Sequence, residues 1–225
     1  MVKPARLLVV LALGALAVVP RSTSAQEVAD VCKAVATAKP GQWASFDATG
    51  GSSGGGRLRL AIVGSERAGD TTLYWLEVSF TGQDASHSGI VQVLTSAPAA
   101  GAASARTVIV KAGGQLAMKI SGQMAGMMGE RAGQNNSASD WAGRCNAAHV
   151  IGWESVTVPA GTFRALHVKA DDGGEAWASA EIPFGLVKVH DKRNELVLTG
   201  RGSDAKSSIT EKPLEMSLPG MMPKP

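Results

Sequence analysis

Four histidines, two cysteines and a cluster of methionines are the residues of this chain whose types could do chemistry. His87, His149, His167 and His190 are scattered along the sequence. A metal site legible from spacing has its ligands at short, fixed intervals, and these four show none. There is no phosphate-binding Walker loop, no H-E-x-x-H helix and no C-x-x-C pair. Gly51-Ser52-Ser53-Gly54-Gly55 spells the G-x-S-x-G of a nucleophile elbow. That elbow must join a strand to a helix, whereas this run leads into another strand pattern and reads as a flexible turn. Asp171-Asp172 is followed by Gly173-Gly174, the composition of a hairpin turn rather than of a carboxylate pair set in a pocket. No catalytic residue, metal ligand or cofactor is expected, and the chain reads as a non-enzyme.

The methionines leave two readings. Met118, Met124, Met127 and Met128 fall in one segment, with Met221 and Met222 near the end of the sequence. Thioether sulfur is a soft ligand suited to Cu(I), so a copper-handling protein is one reading. Methionine is also an adaptable apolar side chain, favoured where a surface must fit variable hydrophobic ligands. Leu116, Ile120, Met124 and Met127 stand at spacings of four, four and three, which predicts a helical stripe within residues 113 to 129. Gly122 and Gly126 weaken that helix. Leu116 and Ile120 bind no metal, so the stripe is taken as a hydrophobic-ligand face, with copper as the alternative.

The first 25 residues have the parts of an export signal. Lys3 and Arg6 precede an apolar run from Leu7 to Val19, and Thr23 and Ala25 sit at the A-x-A positions. The run is shorter than the roughly 20 apolar residues of a membrane span, so no transmembrane anchor is expected in the mature chain. A retained signal anchor is the alternative. The mature protein is expected in the periplasm or outside the cell. Cysteines there tend to pair, and the two present allow one bridge, Cys32 with Cys145; two separate buried thiols are the other possibility.

Removing residues 1–25 takes away three basic residues and no acidic ones, bringing the formal net charge from +3 to zero. A neutral chain without clustered Lys and Arg lacks the electrostatic footprint of a nucleic-acid binder. At 44% hydrophobic and 18% charged residues, it is apolar enough to build a core. Residues 26–212 are read as one domain, and the Pro-rich 213–225 as a flexible tail.

The elements that must position these residues are mostly strands. Val28, Val31, Cys32 and Val35 mark one face of a short helix that ends at Pro40-Gly41. Strand patterns follow at 43–48, 57–62, 73–80, 89–94 and 106–111, and again at 153–158, 162–169, 175–180, 185–190 and 195–200. Val158-Pro159-Ala160-Gly161 reads as a hairpin turn, with Pro at its first central position and Gly free to take positive φ. Strands in close succession with few helical segments predict a large, curled antiparallel sheet.

The stretch Trp153-Glu154-Ser155-Val156-Thr157-Val158-Pro159-Ala160-Gly161-Thr162-Phe163 resembles the E-x-V-x-V-P-A-G-T-F hairpin of exported bacterial domains related to the LolA/LolB-like lipoprotein-sorting superfamily. Residues 177–188 resemble the W-x-S-x-x-I-P-x-G-L-V-K strand pair of those domains, and residues 195–200 the strand that follows it. The resemblance covers about 50 residues. It implies an incomplete β-barrel, mainly β, with helices covering an apolar concave face able to hold lipid or acyl chains. It brings no catalytic residue. The partners it implies are a hydrophobic small molecule or lipid, or an envelope protein; a structural envelope protein with no ligand is the remaining reading.

Overall fold

The computed structural model describes residues 25–34, 38–50, 55–96, 105–127, 145, 147–192 and 194–216. Alternation of polar and apolar residues gives strands β1 (Trp43–Gly50), β2 (Gly56–Ala68), β3 (Thr71–Thr81), β4 (Gly89–Thr95), β5 (Thr107–Ala112) and β6 (Met118–Ser121). The second half gives β7 (His149–Val158), β8 (Gly161–Lys169), β9 (Glu175–Ala178), β10 (Leu186–His190), β11 (Asn194–Gly202) and β12 (Leu214–Met216). They form one unclosed sheet in the order β12-β6-β5-β4-β3-β2-β1-β11-β10-β9-β8-β7.

That order is two antiparallel meanders, β1 to β6 and β7 to β11, joined at a single seam where β1 pairs with β11. Each meander is built from neighbours in sequence, which short turns allow. The β7–β8 turn is the one read from Val158-Pro159-Ala160-Gly161: Val158 faces Gly161 across the ladder, and Gly161 has φ +128°. Its tip bends back over the sheet. Ala160 N–H donates to the Leu198 carbonyl of β11, three strands away, and Val158, Phe163 and Ala165 join the central core with Phe46, Ile62 and Leu198.

Helix α1 (Ala25–Ala34) sets Val28 and Val31 on Leu166, Val168, Ala176 and Ala178 of β8 and β9. The fully buried Cys32 is bonded to Cys145, with Cα atoms 5.7 Å apart, ordinary disulfide spacing. The chain's N-terminal helix is therefore tied to the second meander, not to the strand that follows it.

Two expectations change. The helix across 113–129 is not formed: Leu116 lies in a loop, Met118–Ser121 is strand β6, and the helical residues are 123–127. Pairing of Val108 with Ile120 and of Val110 with Met118 holds this stretch extended, and Gly122 turns the chain at φ +68°. The expected tail also begins as structure, because Leu214–Met216 pairs in parallel with β6; residues 217–225 lie outside the described residues, as do 1–24. Among the described residues, α1 touches the sheet at β8 and β9, and residues 124–125 touch it at β4 to β6.

Between β11 and β12 the chain crosses the sheet as a strap. Trp43 Nε1 donates to Asp204 at 2.7 Å, and the Ala205 amide donates to the Gly41 carbonyl at 2.8 Å. Ile209 packs with Ile109, Ala117, Trp75 and Ile90, and Lys111 pairs with Glu211 at 2.7 Å. Under the strap, Glu77 and Gln92 are buried polar residues whose hydrogen bonds go to it and to each other.

Candidate functional site

The register across the first meander aligns apolar residues into two rows on one face. Ile62, Leu76, Val93, Val108, Ile120 and Met216 stand in direct succession on β2, β3, β4, β5, β6 and β12. Two residues along each strand, on the same face, lie Leu60, Val78, Val91, Val110, Met118 and Leu214, also paired strand to strand. Side chains two apart share a face, so the alternation of each strand delivers both rows to the same side.

The rows differ in cover. In the first, Ile62 to Ile120 are buried, none more than 8% exposed: Ile62 and Leu76 lie in the central core, and Ala105, Met124 and Ala125 pack onto Val93, Val108 and Ile120. In the second, Val91 is 36%, Met118 38% and Leu214 56% exposed. Leu60, Val78 and Val110 are half-buried. Isolated surface hydrophobics are ordinary, but a registered row of six on one face is a contiguous apolar strip. With strands about 4.8 Å apart, five steps give it a length of about 24 Å.

The expected ligand-face residues are divided by this arrangement. Ile120 is in the covered row, and Met124 is packed over it. Leu116, 63% exposed, and Met127, 52% exposed, stand outside the cluster formed by the other two. The residues that sequence spacing did not single out are Val91, Val110 and Leu214. Their signal was the plain strand alternation, which shows that a residue shares a face with its second neighbour but not which residue stands opposite. Met118 and Met216 are on this face too, opposite Leu214 and Ile120 respectively. Met128, Met221 and Met222 lie outside the described residues.

The other candidates resolve into surface pairs. His87 bonds Asp84 at 2.9 Å and His149 bonds Asp171 at 2.9 Å, both exposed. Residues 51–54 of the G-x-S-x-G run lie outside the described residues, and the strands on either side of them, β1 and β2, pair with each other. Among the described residues no group of three His, Cys, Asp or Glu could hold a metal ion. No described helix is long and apolar enough to cross a membrane.

No family model matches this chain, and no curated protein matches it. Solved structures give distant likenesses of fold. MucB, solved in complex with MucA(peri), is similar over 84% of this chain and 59% of its own, at TM-score 0.46 and 8% identity. A DUF1329 family protein from Desulfovibrio piger is similar over 82% of this chain and 93% of its own, at TM-score 0.33 and 12% identity. A candidate exported protein with a YmcC-like fold from Bacteroides fragilis is similar over 73% of this chain and 97% of its own, at TM-score 0.33 and 9% identity. The chain thus spans about three fifths of the MucB chain.

Proposed function

We propose that this is an exported, non-enzymatic protein of the cell envelope that binds an elongated hydrophobic ligand, an acyl chain or lipid, along the open apolar row. The observation that carries the reading is the registered strip Leu60–Val78–Val91–Val110–Met118–Leu214, open at Val91, Met118 and Leu214 beside an apolar row that is covered from Ile62 to Ile120. A strip about 24 Å long and one side chain wide suits a single extended chain better than a compact ring system. Burying one exposed leucine-sized side chain against such a ligand contributes roughly 1.5 to 3 kcal/mol, so the open positions Val91, Met118 and Leu214 support useful affinity without any hydrogen bond. Aliphatic residues make up five of the six positions, which favours this reading over Cu(I) binding through thioethers.

The test is titration of the exported protein with a fluorescent long-chain fatty acid. Wild type should bind it saturably, and Val91→Asp and Met118→Asp should each abolish binding while circular dichroism still shows the folded sheet. Ile151→Asp, at a more exposed apolar position on β7, should bind as wild type does. A wild-type protein that ignores fatty acid and phospholipid analogues overturns the proposal. Tight Cu(I) uptake lost in Met118→Leu and Met216→Leu would replace it with the metal reading, and binding of neither would leave a structural envelope protein.

A further inference from the structure

The far end of the sheet holds an arrangement that ligand binding on the apolar rows does not use. His167 on β8 is largely buried, its side chain 16% exposed, and its ring stacks on Trp177 of β9 with centroids 4.3 Å apart. Each ring nitrogen meets a different carboxylate. Nδ1 lies 2.9 Å from Glu154 Oε1 on β7, and Nε2 lies 3.2 Å from Glu175 Oε2 on β9. Gly152 stands opposite His167 in the ladder and puts no side chain over the ring.

An imidazolium has two N–H donors and satisfies both carboxylates. A neutral imidazole has one, and its other nitrogen turns a lone pair toward a carboxylate oxygen. The two contacts are not equally replaceable. Glu175 also accepts from Lys169 Nζ at 2.8 Å, and that ammonium, with His167 second, holds its carboxyl below the usual range. Glu154 has the uncharged Trp177 Nε1 as its other donor among the described residues. The remaining charges on this side are Lys188, 5.4 Å from the Trp177 ring centre and paired with Glu195, together with His190 on β10 and His149 at the start of β7.

We propose that His167 is a pH-dependent clamp on the edge strand β7, joining it through Glu154 to β8 and β9 with a charge-assisted contact when protonated and more weakly when neutral. Among the described residues β7 is the end of the sheet and has a ladder partner on one side only. An edge strand is where loss of one charge-assisted contact changes local opening most. Imidazole changes charge within the range an envelope protein meets, so the clamp sets how firmly β7 is held as its surroundings acidify or recover.

Amide hydrogen exchange of the exported protein between pH 5.5 and 8, corrected for intrinsic rates, tests this. In wild type, opening of residues 149–158 should rise roughly tenfold as pH is raised across this range, the worth of one charge-assisted hydrogen bond, while β2 and β3 stay constant. His167→Phe keeps the stacked ring and should flatten the β7 profile with His149 still in place. Glu154→Gln should flatten it as well, and serves if the first variant does not fold. A β7 profile independent of pH in wild type, or one unchanged in both variants, overturns the proposal.

Discussion

Glu77 and Ser208, 131 positions apart, are joined by two hydrogen bonds: the Ser208 amide donates to Oε2 at 2.9 Å and its hydroxyl to Oε1 at 2.7 Å. Gln92 Nε2 donates to the same carboxylate at 2.7 Å and to Ser207 Oγ at 2.7 Å. Arg59 stands 3.6 Å from Oε1, the nearest cation to a carboxylate whose side chain is only 1% exposed. A buried charge needs this many partners, because leaving water costs several kcal/mol that only hydrogen bonds and an opposite charge return.

Glu77→Ala removes the acceptor shared by three donors. It should destabilise the protein by about 3 kcal/mol, since Gln92 and Ser208 are then left with unsatisfied groups near the core. Urea unfolding measures the loss. Limited proteolysis should cut the variant first within residues 203–212, and an unchanged cleavage pattern would show that the strap does not depend on Glu77.

Acid should loosen the strap from both ends. The Trp43 N–H beside Asp204 and the Lys111 ammonium beside Glu211 each hold a carboxyl below its usual range. Groups depressed in the folded state stabilise it above the unfolded carboxylate value and lose that effect as pH falls through the folded one. The contacts are therefore complete above about pH 5 and lost progressively below about pH 4. Carboxyl carbon NMR of Asp204 and Glu211 should show both midpoints below those of exposed Asp and Glu in the same protein.

Reducing Cys32–Cys145, which are 113 positions apart, should lower stability by about 4 to 5 kcal/mol in the chain-entropy picture. Thermal melts with and without reductant read this directly. Hydrogen exchange should rise first in α1, whose other ties to β8 and β9 are Val28 and Val31. Equal melting temperatures in the two conditions would mean that apolar packing alone holds the helix.

The β7–β8 turn gives a contrast between adjacent residues. Gly161 sits at φ +128°, a conformation closed to β-branched side chains, although a Cβ there would meet only the Phe163 ring at 3.5 Å. Gly161→Val should thus lower the melting temperature through the backbone, not through a clash, and by more than Ala160→Ser does. Identical melts for the two variants would remove positive φ as the reason for glycine.

The strands were legible because alternation is local: Leu58, Leu60 and Ile62 announce their shared face within five residues. The order of strands was not, since nothing in β1 says that its second partner will be β11, some 150 residues later. Residues 116–127 misled for a specific reason. A four-residue strand is too short to display its period, and Ile120 of β6 happens to stand four positions from both Leu116 and Met124. The open row was half visible, as single alternating positions in each strand, but its continuity exists only in the register. The strap was invisible, because Ser207 and Ser208 are ordinary loop residues until Glu77 and Gln92 are placed beneath them.

The two meanders exchange their ends: α1 is bonded to the second, and the strap lies across the first. The chain has therefore been fastened twice, once by sulfur and once by a buried carboxylate, on either side of the seam between β1 and β11. Two separate polypeptides, one ending after the first meander and one beginning before the second, would carry between them every element of that fastening. Neither could complete its own surface, since each lacks the segment that covers it. Such halves would recognise each other rather than copies of themselves, and the undivided protein is in this sense a heterodimer written on one chain.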